Sequence, residues 1–307
     1  MFPRCLMLMA INPLEYLIDP HKRIYWVFLL SSVLIAAVFL WINPKKRKVN
    51  LSKKLWLHPS ALLDYGYFIF ISIFKVLVIF PILIGAKEVA LWVNEFLLTQ
   101  YGFTRITGFS YPQVMILFTL SLFILSDFSR YWLHRLLHTV PWLWAFHKTH
   151  HSAKVLTPLT FYRVHPVESL LFGLRYSLII GLVSGVFIYG FGAMIGIVDI
   201  LGVNALAFVF SLVGSNLRHS HIDISFGVFE RFLISPKQHQ IHHSKHHINV
   251  NFGGFLAIWD WAFRSLVLSK SVNKLKFGIQ QNEMKYFNRF HQLIFSPFYL
   301  LYRNRTK

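Results

Sequence analysis

The chain has 307 residues, 55% of them hydrophobic and 17% aromatic, with 31 Phe and a mean hydropathy of +0.50. A water-soluble domain is far less apolar, so a bilayer must take up the excess. The formal charge of +19 would suit a nucleic-acid binder, but Lys and Arg sit mainly between the apolar windows and in the C-terminal region. That is how cytoplasmic loops are composed, and no nucleic-acid partner is expected. A single cysteine, Cys5, excludes an intramolecular disulfide and a cysteine-based metal site, leaving His and carboxylate to hold any metal.

In chain order, the first twenty residues carry Pro3, Pro13, Glu15 and Asp19 and lack a compact apolar core ending in a small-residue cleavage site. No removable signal peptide is expected there, and the first span is expected to anchor the mature chain. Apolar windows of the ~20 residues that cross the hydrocarbon core fall at 24–42, 65–86, 112–126, 168–192 and 193–214, the last two read as a tight hairpin broken by glycines. The short third window is expected to continue as helix through Asp127 to His138. The expected fold is all-α, a polytopic transmembrane helical bundle of about four or five spans with a cytoplasmic, histidine-rich helical cap. Neither an internal repeat nor a low-complexity linker is seen.

Between the first two windows, 43–64 carries Lys45, Lys46, Arg47, Lys48, Lys53 and Lys54 against one acid, Asp64. The run from Pro44 to Val49 resembles a nuclear-import signal, but it follows an apolar span and reads as a positive-inside loop. With this loop in the cytoplasm, parity sends the nearly charge-balanced 87–111 to the far side and returns the third span just before His134. The hairpin then delivers His219 to the same cytoplasmic face. From Ile222 onward the chain is expected to form the cap. Its apolar stretches 226–232 and 255–263 are either interfacial or, more ordinarily, plain packing surface.

Thirteen of the sixteen histidines lie between 134 and 247. His134 and His138 are spaced i, i+4 and share a helix face. His147, His150 and His151 are spaced i, i+3, i+4, and His239, His242 and His243 repeat that spacing. Neutral imidazole binds Fe, Zn, Cu or Ni, and eight or more converging nitrogens are too many for one ion, so two metals are implied. A surface or capping role suits His21, His58 and His291. It does not suit three spaced clusters on one face, because polar groups near a membrane core are expensive. His-ligated zinc hydrolysis competes, yet Arg135 follows His134 and no His-Glu-x-x-His occurs. Neither a dinucleotide fingerprint nor a haem attachment motif is present, so redox electrons require a separate donor.

The set Asp127-Phe-Ser-Arg-Tyr-Trp-Leu-His134-Arg-Leu-Leu-His138, His147-Lys-Thr-His150-His151-Ser, Phe161-Tyr-Arg-Val-His165-Pro-Val-Glu168 and His239-Gln-Ile-His242-His243-Ser resembles the fatty acid hydroxylase/sterol desaturase superfamily. The likeness runs over about 112–268 and includes Asn251-Phe-Gly-Gly-Phe-Leu-Ala-Ile-Trp-Asp260. It implies a membrane bundle with a cytosolic cap, a dinuclear non-haem iron centre, O₂ as co-substrate and an external electron donor. It also implies iron ligation by His134, His138, His147, His150, His151, His239, His242 and His243, with His219 added and His165 as ligand or supporting residue. Where relatives continue Trp-Asp with a basic residue and Phe-Gly-Thr, this chain has Trp261 and Arg264-Ser265, a departure bearing on cap geometry.

The resulting division is 1–111 as membrane anchor helices with a basic loop, 112–268 as catalytic domain and 269–307 as a basic interfacial tail, in a multi-pass protein of the bacterial inner membrane or endoplasmic reticulum. The expected reaction is O₂-dependent hydroxylation or desaturation of a lipid of sterol, fatty acyl, sphingoid, alkylglycerol or carotenoid type. An unactivated C–H bond offers side chains nothing to act on, so the metal carries the hard step. Alternatives are a metal-dependent lipid hydrolase or isomerase and a non-enzymatic metal-binding membrane protein. Asp127 is expected either to orient a ligand or to pair with Arg130 or Arg135. Asn251 and Asp260 are expected to support ligands or cap a turn. Trp132, Trp142 and Trp144 are expected to form an interfacial belt. Lys148, Lys154 and Arg163 are expected either to hold an anionic headgroup or to be solvated loop charges.

Overall fold

A computed structural model describes residues 14–305. Cys5, Pro3 and Pro13 lie outside the described residues. The first long helix, α1 (Trp26–Ile42), has no charged side chain and stops at Asn43-Pro44, where proline cannot continue the ladder. Its 17 residues make it the short counterpart of the expected span 24–42, and Phe28 packs edge-on against Phe208 at 5.0 Å. Helix α2 (Pro59–Phe74) starts with proline at N1 behind His58, whose Nδ1 accepts the Ser60 N–H at 3.1 Å. A π-turn, Lys75–Ile79, precedes Pro81. Because Pro81 has no N–H for the ladder, local rewinding is the expected response. Beyond Gly85 the chain continues as α3 (Ala86–Tyr101).

Helix α4 (Tyr111–Thr139) is opened by a capping box in which the Ser110 N–H donates to Gln113 Oε1 at 2.8 Å. It runs 29 residues without a break, so the third apolar window does continue past Asp127 to His138. Pro141 then starts α5 (Pro141–His151), and Pro166 starts α6 (Pro166–Phe191). Helices α4 and α6 run antiparallel, with Val183 between Phe118 and Leu122 and the Arg175 guanidinium on the Ser126 carbonyl at 2.8 Å. Glycines let α3 approach α6 closely: a β-carbon at Gly181 would stand 2.4 Å from that of Val89.

Three helical stretches, Pro59–Tyr101, Tyr111–Thr139 and Pro166–Phe191, are long and apolar enough to cross a membrane. In their most apolar windows only 22%, 28% and 17% of residues are buried, so the apolar surface faces outward, which lipid tolerates and water does not. This is an integral membrane protein.

The expected fifth span is corrected. Residues 193–214 return as an extended stretch, a hairpin of β1 (Asp199–Ile200) and β2 (Val203–Asn204), and the short helix α7 (Ala205–Leu212). The β-branched run Ile195, Ile197, Val198, Ile200, Val203 favours extended backbone, and Gly192, Gly202 and Gly214 take positive φ. Irregular backbone among apolar helices needs protein partners. Thr119 supplies them, accepting the Val198 N–H at 2.8 Å and the Asn204 amide at 3.1 Å.

Around the end of α4 where His138 lies, residues 215–281 fold into a polar, histidine-rich layer that includes α8 (Pro236–His242) and α9 (Ile258–Ala262). Helix α10 (Phe290–Arg305) buries Leu293 against α5, where the Thr149 hydroxyl donates to its carbonyl at 3.1 Å. Asp64, expected as a loop acid, is fully buried in α2. There it pairs with Arg163 and accepts the Thr160 hydroxyl at 2.6 Å, tying α2 to residues 158–163. Arg163 is therefore unavailable to a headgroup, and Lys148 is likewise paired, with Glu283 at 2.5 Å. The stretch 226–232 leaves Val228, Phe229 and Phe232 exposed, and Trp261 is exposed as well.

Candidate metal centre

Nine histidines converge in two adjoining groups. His134, His138, His147, His151 and His242 form the first, and His150, His219, His239 and His243 the second; within each, the candidate ligand atoms all lie within 4.8 Å of one another. The division follows from helix geometry. At 100° per residue, positions i and i+4 are ~40° apart and i+3 lies ~60° to the other side. In α5, His147 and His151 therefore face one group and His150 the other. In α8 the assignment is reversed, His239 and His243 facing the second group and His242 the first. Helix α4 gives His134 and His138 to the first group, and the 3₁₀ turn Ser215–His219 gives His219 to the second.

The rings are oriented from behind. His134 Nδ1 lies 2.8 Å from the Phe252 carbonyl, His242 Nδ1 2.7 Å from that of Val250, and His150 Nδ1 3.2 Å from that of Arg163. A carbonyl only accepts, so each Nδ1 carries its hydrogen and each Nε2 presents a lone pair. His147 Nδ1 stands 3.0 Å from Glu168 Oε2, out of line for a full hydrogen bond. Burial pushes His147, His150 and His242 down to about 3. Burial and neighbouring imidazoles also lower His151, His239 and His243, while burial and Arg23 lower His219. These rings are neutral, the state a metal requires.

The donor sets fit metal ions. His219 Nε2 faces the Nε2 atoms of His150, His239 and His243 at 3.3, 3.2 and 3.1 Å. One ring hydrogen satisfies one such pair, and the remaining lone pairs confront each other unless a cation lies among them. In the first group, both ring nitrogens of His138 and the Nε2 atoms of His151 and His242 are buried without a hydrogen-bond partner. Orphaned polar atoms at this density call for an unmodified explanation in coordination chemistry.

His165 is corrected. It lies outside both groups, its Nδ1 accepting the Val167 N–H at 3.1 Å and its Nε2 3.0 Å from the Ile294 carbonyl. With proline at N1, it caps α6 and ties it to α10. Asp127 serves neither expected partner. Its carboxylate accepts the Phe255 N–H at 2.8 Å, the Leu256 N–H at 3.0 Å and the Trp259 indole N–H at 3.0 Å, pinning the 251–260 segment to α4. Asn251 takes φ +53° and holds the Gln238 and Val267 carbonyls at 3.1 and 3.0 Å. Asp260 accepts the Phe252 and Gly253 N–H groups, both at 2.8 Å, and burial raises it to about 6. Together they fix the loop whose Phe252 carbonyl orients His134. Trp144, expected in a belt, packs on His138 and His151 with ring centroids at 5.0 and 5.4 Å. Glu168 was visible in the quoted motif but not assigned a role. The three backbone carbonyls have no sequence signal at all.

A cavity of about 600 Å³ lies elsewhere, against Lys237 and Gln240 on α8 and Phe277, on the other side of that helix from its histidines.

Two all-histidine groups gathered at the end of a membrane-length helix form a site that could hold metal ions in a membrane protein, and comparison with known proteins narrows the class. Residues 119–265 match the fatty acid hydroxylase family model. This match, over just under half of the chain, bears out the superfamily resemblance. The chain is 30% identical over 159 residues to the alkylglycerol monooxygenase of Xenopus tropicalis, covering 51% of this chain and 32% of that protein. It is 30% identical over 139 residues to the ornithine lipid hydroxylase OlsE of Rhizobium tropici, covering 45% and 38%. To the Delta(7)-sterol 5(6)-desaturase erg3B of Aspergillus fumigatus it is 29% identical over 175 residues, covering 56% and 47%. These matches span less than half the length of each relative. No solved structure matches the chain.

Proposed function

We propose that this protein is an O₂-dependent membrane oxygenase that hydroxylates or desaturates a lipid at a di-iron centre held by the nine histidines. The observation that carries the reading is the pair of adjoining all-histidine groups, buried but for the partly exposed His134 and each with ring nitrogens lacking any partner. Two bound irons supply what side chains cannot, the reduction of O₂ and attack on an unactivated C–H bond. The protein's own share is positional. The Phe252, Val250 and Arg163 carbonyls keep Nδ1 protonated and turn Nε2 inward, and Glu168 supports His147. Asp127, Asn251 and Asp260 hold the loop that carries the Phe252 carbonyl. Trp144 and Phe252 close the first group with apolar surface and exclude water.

In this reading residues 112–268 are the catalytic domain, and the histidine end faces the cytoplasm. Support for that side comes from the basic 43–64 stretch, whose Lys46 reaches Asp223 of the histidine-rich layer at 2.7 Å. Electrons come from a separate donor, and the substrate carbon approaches from the bilayer. Hydroxylation and desaturation are both represented among the names of its relatives. Elemental analysis of detergent-purified protein, with a variant in which His150 and His151 are both Ala, tests the reading. About two irons per chain, as two groups of this size imply, lost in the variant and accompanied by O₂-dependent change in the lipid profile, is the expected result. Zinc persisting through iron-replete anaerobic purification would refute it in favour of hydrolysis or isomerisation.

A further inference from the structure

Four arginines collect beside the second histidine group, three of them near the Asp127 carboxylate. Gly254 marks the meeting point: a β-carbon there would stand 2.7 Å from Asp127 Oδ1 and 2.9 Å from Arg130 Cδ, while the Arg218 guanidinium donates to the Gly254 carbonyl. On the same stretch of α4, Arg175 donates to the Ser126 carbonyl at 2.8 Å and to the Ser129 hydroxyl at 2.9 Å. Arg23 donates to the Ser215 carbonyl and stacks on Phe161 at 4.4 Å, and the Phe161 ring lies 5.8 Å from that of His219. Arg218 directly precedes His219 in sequence.

The charges do not balance. Arg130, Arg175 and Arg218 lie within electrostatic reach of Asp127, whose two oxygens are already engaged by two backbone N–H groups and an indole, and Arg23 adds a fourth cation with no carboxylate of its own. Among the described residues Arg130 has no hydrogen bond or ion pair, and the Nε atoms of Arg23 and Arg175 are buried without a partner. Arg218 is buried and the other three are partly exposed, and guanidinium groups are the side chains best matched to phosphate and carboxylate.

We propose that Arg23, Arg130, Arg175 and Arg218 form a pocket for an anionic oxygen group, a phosphate or carboxylate, set beside the second histidine group. As a lipid headgroup it makes the substrate an anionic lipid, a step that rests on the oxygenase reading. As a free anion it is a separate ligand of the same pocket.

The test is thermal unfolding of the purified full chain in uncharged detergent, with metal content measured on the same samples. The probes are short-chain phosphatidic acid, phosphatidylcholine of the same chains, and inorganic phosphate. Phosphatidic acid is expected to raise Tm while phosphatidylcholine does not, and Arg130→Gln is expected to weaken its apparent affinity at least about tenfold, as loss of a charge-assisted contact does. A control pair, Lys53→Gln with Lys54→Gln, is expected to leave it unchanged. Arg175→Gln replaces Arg130→Gln should the latter not fold, with the same expected loss. A shift with inorganic phosphate as large as that with phosphatidic acid assigns the free anion; a shift with the lipid alone assigns the headgroup. Equal response to both lipids, or wild-type affinity in the arginine variants, overturns the pocket. Iron present without lipid preference removes the pocket alone, and lipid preference without iron removes the oxygenase reading alone.

Discussion

The two histidine groups share helices α5 and α8 but are held in different ways. In the first, His134 and His242 are fixed by carbonyls and His147 stands against Glu168, so three of five rings have a partner behind them. In the second, only His150 has such a carbonyl, and the Nδ1 atoms of His219 and His239 are buried with none. The first group is set before any ion would arrive, whereas the second would depend on its ion and on neighbouring rings. Ring-fixing partners raise ligand basicity and hold orientation, so the first group is expected to bind its ion more tightly.

Single replacements break the comparison most sharply. His151→Ala is expected to empty the first group and His150→Ala the second, each lowering metal from about two to about one per chain and abolishing turnover, read by elemental analysis. Loss of both ions from both variants would show one indivisible unit.

Acidification acts on both groups. Burial holds His147, His150 and His242 at about 3 in the folded chain against 6.5 ordinarily. Between those values the unfolded chain binds protons that the folded one does not. Stability of the metal-free protein is therefore full above about pH 6.5 and falls as pH drops toward 3, measurable by chemical denaturation. In the loaded protein, titration against a chelator is expected to release the second group's ion first.

Asp127→Asn removes the charge from three hydrogen bonds that pin the 251–260 segment. A cost of about 1.5–3 kcal/mol is expected, with the first group loosened through Phe252 and the second unchanged. Glu168→Gln has the narrowest expected effect, a roughly 10–100-fold weaker first ion with thermal stability preserved. An equal loss at both groups would contradict the asymmetry.

Much of the centre is legible in sequence because it is helical. Spacings of i, i+3 and i+4 in α5 and α8 place rings on adjoining faces, and the same angles contain the exchange of His150 and His242 between groups. His165 was legible as a cap, since Pro166 follows it, but its place in a histidine-rich motif drew it into the ligand set. The role of Asp127 was hidden because its partners lie at 255–259, brought near only by tertiary folding. Hydropathy counted 193–214 as a span, whereas its β-branched residues and glycines already argued for extended backbone. Arginines at 23, 130, 175 and 218 stand in four separate stretches, and no local pattern joins them.

The interleaving of α5 and α8 has a mechanical meaning. His134 and His138 emerge from a membrane-crossing helix, while α8 and His219 belong to the polar layer, and α5 bridges them. An ion in the first group would rivet the layer to the bilayer helix, and an ion in the second would fasten α5 to the layer from the other side. Removing both with a chelator would unfasten a hinge as well as stop a reaction, leaving residues 215–281 open to a protease that the loaded protein resists.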